Sequence, residues 1–181
     1  DINLESNFFL NIGRLTNQKN QIILINLFNR LAKKEIHQKL FIIGTGENKN
    51  YLLQKIKKFN LQNKIFLLGH KKNVFPYIKK AKACILSSLW EDPGAVMVES
   101  AFCNTTIISS DCPNGPSEFL DNNKGGYLFK SNDILSLEKA FYQFMNDSKK
   151  KIYDKKIYAK KKSKIYSCFG HYLELNRILN E

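Results

Sequence analysis

Short apolar runs alternate with amphipathic stretches along most of the chain. The runs FFLNIG, KLFIIG, KIFLLG, ACILSS and TTIISS are rich in β-branched or aromatic residues and end in Gly or Ser. They read as strands buried on both faces. Between them, QIILINLFNRLAKK, KNYLLQKIKKFN, NVFPYIKKAK and AVMVESAFC carry apolar residues at helical spacing. Strand followed by helix, over and over, predicts a parallel sheet with right-handed crossovers and helices on both faces. GYLFK supplies a sixth strand, and the chain turns helical from Asn132, with Asn132 or Asp133 as the N-cap of ILSLEKAFYQFM. No internal repeat or flexible linker interrupts the pattern. The expected architecture is one three-layer α/β domain, sheet and helices over about 1–147 and a helical tail over about 148–181.

Composition adds a question of charge. The chain has 181 residues, 43% of them hydrophobic and 25% charged, enough for one domain with a proper core. Its net charge is +13, which by itself suggests an anionic partner. Only Arg14, Arg30 and Arg177 are arginines; the other basic residues are lysines, in a background rich in Ile and Asn. An AT-rich coding sequence produces that bias, whereas nucleic-acid surfaces recruit Arg for bidentate contacts, so a nucleic-acid partner is not expected.

No apolar stretch reaches the roughly 18 to 20 residues that span a bilayer, and no secretory signal is visible. The four cysteines, Cys84, Cys103, Cys112 and Cys168, form no CxxC pair, and Cys84 sits in an apolar run as a reduced core thiol. A cytoplasmic setting is therefore expected. The three histidines are scattered and no D-x-D occurs, so neither a metal nor another cofactor is expected. The chain opens on Asp1 without a Met, which suggests a piece of a longer protein. Between Lys149 and Lys164 nine lysines face one acid, Asp154, interleaved with Ile152, Tyr153, Ile157 and Tyr158. This reads as a solvated helix whose apolar residues pack on the sheet, or as a surface for an anionic membrane at which the protein would be peripheral.

In open α/β sheets ligands bind beyond the carboxyl ends of the strands, so the residues that close each apolar run are the candidates. After the first run, Gly13 and Arg14 precede Lys19, two cations at a helix start that could grip a diphosphate or be ordinary surface residues. After the second, Gly44-Thr45-Gly46 fails as a dinucleotide fingerprint, because Lys49 takes the third glycine position and no acid ends the next strand. It reads instead as a tight turn. After the fourth run, Glu91 stands in a loop, Gly94 opens a helix and Glu99 follows along it. The two acids suit hydroxyl recognition beside a diphosphate at the helix N-terminus, or are a first-turn carboxylate and a solvated one. After the fifth, DCPNGPSE is a rigid turn, with Pro116 suited to the first turn of a helix and Glu118 either a ligand or a helix-stabilising acid. Each feature alone is weak; their ordered placement on successive loops is not.

The ordered set NIGRLTNQKN, LFIIGTGEN, IFLLGH, ILSSLWEDPGAVMVESA and IISSDCPNGPSEFLDNNKGGYLF resembles the C-terminal half of retaining glycosyltransferases of family 4. The resemblance runs from Phe8 to Phe129. It implies one Rossmann-like half of a GT-B enzyme, the half that binds the nucleotide-sugar donor, with the N-terminal acceptor domain absent from this chain. It assigns Arg14 and Lys19 to the donor diphosphate, Glu91 to the donor sugar near the reacting centre and Glu99 to the ribose hydroxyls. Gly13, Gly44, Gly94, Ala95 and Val96 become backbone positions along the donor, and Phe66 to His70 lies against the base. The implied catalytic residues are Glu91, Arg14 and Lys19. Where the family more often has Gly-Phe-Gly, this chain has Asp92-Pro93-Gly94, and Pro93 offers no N–H. The DCPNGPSE loop resembles a subgroup with UDP-hexose or UDP-N-acetylhexosamine donors. The implied reaction is retaining transfer to an acceptor hydroxyl of a glycan or lipid-linked acceptor. The rivals are a non-catalytic nucleic-acid-binding basic module, a GT-B sugar-nucleotide epimerase and a phosphorylase, which would need a lysine-bound cofactor.

Overall fold

The computed structural model describes residues 7–91 and 94–180, without the side chains of Cys168 and Glu174. Six strands form one sheet: β1 (Phe8–Ile12), β2 (Lys39–Ile43), β3 (Ile65–Leu67), β4 (Ala83–Leu86), β5 (Thr106–Asp111) and β6 (Tyr127–Lys130). All neighbours pair in parallel, in the order β3-β2-β1-β4-β5-β6. The helices are α1 (Gln21–Lys33), α2 (Lys49–Lys58), α3 (Phe75–Lys80), α4 (Ala95–Phe102), α5 (Pro116–Leu120), α6 (Ile134–Asn146), α7 (Lys149–Ser163) and α8 (Cys168–Leu179).

Alternation along the strands divides the core in two. Phe9, Leu40, Ile42, Ile85 and Ile108 enter one apolar cluster with residues of α1, α2 and α6. Phe8, Leu10, Phe41, Ile43, Cys84 and Ile107 enter the other with Ile78, Met97, Phe119 and Ala159 from α3, α4, α5 and α7. A side chain must alternate faces in a pleated strand, so an all-apolar strand requires a helical layer on each side. The expected three-layer Rossmann-like α/β fold with a helical tail is the fold found. Cys84 is a free, buried thiol whose pKa burial pushes up to about 12.

Asp133 is the N-cap of α6, accepting from the amides of Leu135 and Ser136 at 2.9 and 3.0 Å. Asn132 does not compete for this role, because its backbone is left-handed at φ 57° whereas an N-cap is extended. Across α1 and α6, Glu138 is buried and accepts from Arg30 at 2.7 Å and from Lys34 at 2.8 Å. The Lys34 hydrogen bond, with Arg30 behind it, holds the Glu138 carboxyl below its ordinary 4.5 against the opposing pull of burial. A carboxylate with a depressed folded-state pKa stabilises fully above its unfolded value and loses that contribution as pH falls through the folded one. Glu138→Gln is therefore expected to cost about 1 kcal/mol at neutral pH, and the difference between variant and parent should shrink in urea unfolding as the pH falls through the depressed folded-state pKa of Glu138.

The tail departs from a purely solvated lysine face. Ile152 packs on one core cluster and Ala159 lies inside the other. Lys155 is itself buried: its ammonium donates to the carbonyls of Asn123 and Gly126 and lies 4.7 Å from the centre of the Tyr127 ring. Burial lowers its pKa. No helix among the described residues is long and apolar enough to cross a membrane.

Candidate functional site

The sheet order reverses between β1 and β4, so the loops that leave these two strands diverge to opposite faces and leave a crevice at their carboxyl ends. The β1–α1 loop carries Gly13, Arg14 and Lys19, and the β4–α4 loop carries Glu91 and Gly94.

Backbone bonds lock the first three loops side by side. Gly13 N–H donates to Ile43 O at 3.0 Å, Leu15 N–H to Thr45 O at 2.8 Å, and Gly44 N–H to Gly69 O at 2.9 Å. At Gly44 a Cβ would stand 1.9 Å from Gly13 O, and at Gly46 one would stand 2.5 Å from Leu15 O. The glycines serve this close approach, as the tight-turn reading requires. At Gly13 the missing side chain leaves room for the Lys19 stem, whose Cγ would lie 3.3 Å from a Cβ.

Lys19 and Glu91, 72 residues apart in sequence, form an ion pair: the ammonium stands 2.8 Å from both carboxylate oxygens. Glu91 is 4% exposed. A buried carboxylate needs a partner of this kind. The Ser88 hydroxyl also donates to Glu91 Oε1. The surrounding backbone is pinned from three directions: Ser87 Oγ donates to Lys19 O at 2.8 Å, Leu89 N–H to Gln18 O at 2.8 Å, and Glu91 N–H to Pro113 O at 3.2 Å. Ser110 Oγ donates to Ser88 O at 2.6 Å. The two loops at the switch point and the β5–α5 loop therefore form one unit.

Arg14 is exposed, and its guanidinium makes no hydrogen bond or ion pair among the described residues. Gly94 is the N-cap of α4, and no described side chain caps that helix. The first-turn amides, including those of Ala95 and Val96, thus face the edge where Glu91 lies. Glu99 is half-buried on α4, and burial raises its pKa above the ordinary 4.5. His70 is exposed on the loop after β3, next to the Gly69 carbonyl that ties it to Gly44. Asp92 and Pro93 lie outside the described residues. Pro116 opens α5, and Glu118 is exposed in its first turn. Cys112 is buried nearby, and desolvation raises its pKa, which leaves it an inert thiol.

All the candidate residues but Glu99 thus belong to loops or helix starts at one sheet edge, and Glu99 stands one turn further along α4. The geometry brings Lys19 and Glu91 into contact, and Glu91 is not a solvated acid. Ser88, Ser110 and Gln18 were not candidates on sequence grounds; the only signal is the Ser-Ser pair that closes both ILSS and IISS. A cavity of about 230 Å³ lies instead at the start of the strands, against Phe8, Lys39 and Lys64, and no candidate residue lines it. No group of three or more His, Cys, Asp or Glu that could hold a metal is found among the described residues.

Comparison with known proteins gives this edge its context. Residues 1–163 match the model of the family described as Glycosyl transferases group 1. The chain belongs to that family. An uncharacterized glycosyltransferase of Methanocaldococcus jannaschii is 46% identical over 116 residues, 64% of this chain and 29% of its relative. The N-acetylgalactosamine-N,N'-diacetylbacillosaminyl-diphospho-undecaprenol 4-alpha-N-acetylgalactosaminyltransferase of Campylobacter jejuni is 32% identical over 167 residues, 92% of this chain and 44% of that protein. This group 1 glycosyltransferase chain therefore spans less than half the length of either relative. Among solved structures, S. aureus TarM, in a mutant complex with Fondaparinux, alpha-GlcNAc-glycerol and UDP, superposes with a TM-score of 0.84 at 23% identity, covering 99% of this chain and 36% of that one. Anabaena HepE in complex with UDP also gives 0.84, at 19% identity, with 98% and 50% covered. At these identities the likeness shows the shared fold.

Proposed function

We propose that this chain is the donor-binding domain of a retaining family 4 glycosyltransferase, taking a UDP-linked hexose or N-acetylhexosamine. The observation that carries the reading is the Lys19–Glu91 pair at the switch point, flanked by the Arg14 guanidinium and the start of α4, neither of which has a side-chain partner among the described residues. Arg14, Lys19 and the amides at Gly94, Ala95 and Val96 meet the diphosphate, Glu91 the donor sugar, and Glu99 the ribose. Gly13, Gly44 and His70 line the nucleotide side. UDP is the nucleotide in the TarM and HepE complexes, which supports the choice of base.

In the proposed reaction the bond between the anomeric carbon and the phosphate oxygen breaks, and the acceptor oxygen bonds to the same face of that carbon. The acceptor proton passes to the departing phosphate. Negative charge grows on the leaving diphosphate, and preorganised cations and helix N–H groups stabilise it there. The nucleotide sugar is a substrate, and the reading includes no resident cofactor. Acceptor binding falls to an N-terminal domain outside this chain. Isolated residues 1–181 are accordingly expected to bind nucleotide without transferring sugar. The exposed Phe169, Tyr172, Leu173 and Leu179 fall on one side of α8 and offer that domain an apolar face. The lysines of α7 keep a peripheral membrane contact within the proposal; binding to anionic but not neutral vesicles is its test.

A thermal-shift panel of UDP-, GDP- and ADP-sugars tests the reading. Stabilisation by UDP-sugars above the others supports it, and none by any of them overturns it. Glu99→Ala is expected to weaken UDP binding by about 1–3 kcal/mol, the scale of a lost charged hydrogen bond. Ribose hydroxyls donate to the ionised carboxylate, and burial raises the Glu99 pKa. UDP affinity should therefore fall on acidification sooner than an ordinary glutamate would dictate, and Glu99→Gln should flatten that dependence in calorimetry.

A further inference from the structure

We infer that Ser88 is the positioning residue that aims the Glu91 carboxylate, and through it sets the preference for an intact sugar nucleotide over the bare diphosphate. The inference rests on the donor-site reading above. Glu91 receives two kinds of donor. Lys19 reaches both oxygens at 2.8 Å and is itself partly exposed, so it can turn toward an arriving diphosphate. Ser88 cannot leave. It is 2% exposed and lies two residues beyond the end of strand β4, where its hydroxyl donates to Oε1 and its own carbonyl accepts the buried Ser110 hydroxyl at 2.6 Å.

When Lys19 engages phosphate, a buried carboxylate loses part of its compensation and must find another donor. A hydroxyl of the donor sugar supplies one, and the diphosphate alone does not. Because Ser88 keeps Oε1, the second oxygen stays turned to the place the ammonium vacates. Ser88 therefore contributes to binding only where a sugar is present, and it touches no ligand itself.

Calorimetry of residues 1–181 with UDP, UDP-glucose, UDP-N-acetylglucosamine and UDP-N-acetylgalactosamine tests this, on the parent, Ser88→Ala and Ser88→Thr. Ser88→Ala is expected to weaken the best-bound UDP-sugar about tenfold, as loss of a hydrogen bond to a charged group does, and to change UDP by less than about twofold. Ser88→Thr, which keeps the hydroxyl, should restore the sugar preference. Equal losses for UDP and UDP-sugar, or none for either, overturn the inference. A ligand-free crystal structure of Ser88→Ala provides the independent readout, in which the Glu91 carboxylate should turn from its present orientation. An unmoved carboxylate overturns the positioning role whatever the calorimetry gives. Failure of the parent to bind any of the four nucleotides overturns the donor-site reading instead, and positioning is then decided by the carboxylate alone.

Discussion

Lys19→Ala is expected to destabilise the fold by about 2–3 kcal/mol and to weaken UDP binding by about tenfold to a hundredfold. The two effects have one origin. Glu91 is 4% exposed and its carboxylate oxygens both meet the Lys19 ammonium. Removing the cation leaves a buried anion with the Ser88 hydroxyl as its one side-chain donor among the described residues, the most costly kind of deletion for an ion pair. The Lys19 side chain is itself 20% exposed, so water reaches the vacated space and the loss stays below that of a fully enclosed pair. Lys19→Met combined with Glu91→Leu removes both charges and keeps apolar volume. That double variant should recover most of the stability and none of the nucleotide affinity. Urea unfolding of the single and double variants measures the coupling, and calorimetry with UDP measures the second effect. A Lys19→Ala protein as stable as the parent would show that the pair is not formed in solution.

That coupling lies beyond the reach of pattern reading. The six strands are legible because each is a short apolar run with β-branched or aromatic residues, and a strand buried on both faces has little choice of composition. The candidate loops follow at once, since a parallel sheet sends the end of every strand to the same edge. What sequence cannot supply is the partner chosen across that edge. Lys19 could have stood free beside Arg14, and Glu91 could have been a solvated loop acid. Their contact depends on how closely β1 and β4 lie, a tertiary fact. Ser88 is hidden for the same reason, as one hydroxyl among many. Lys155 shows the limit most plainly: nothing distinguishes it from its eight lysine neighbours in the segment, yet among the described residues it alone of them donates to two carbonyls in the turn before β6. Asn132 and Asp133 were equivalent cap residues until the backbone separated them, because only Asp133 is extended.

The glycines of this edge permit the sharpest ranking. Gly44→Ala is expected to cost about 3 kcal/mol or more and to abolish UDP binding, Gly69→Ala about 1 kcal/mol, and Gly13→Ala a few tenths. A methyl at Gly44 would stand 1.9 Å from the Gly13 carbonyl oxygen, and backbone cannot swing aside as a side chain can. That carbonyl precedes Arg14, and the same stretch is held by the bond from Gly13 N–H to Ile43 O. Relieving the clash therefore pushes away the loop that presents both cations. Gly69 also has positive φ, at 68°, but nothing lies within 4 Å of its added methyl, so it bears only the conformational cost of the left-handed region. Gly13 has ordinary φ and would meet only the flexible Lys19 stem at 3.3 Å. Denaturation midpoints should follow this order. Nucleotide binding should vanish at Gly44 and survive at Gly69, where the chain bends without touching the cation loop. If Gly44→Ala and Gly69→Ala prove equally stable, left-handed strain governs this edge, and the close approach of the first two loops is not the constraint that holds Arg14 and Lys19 in place.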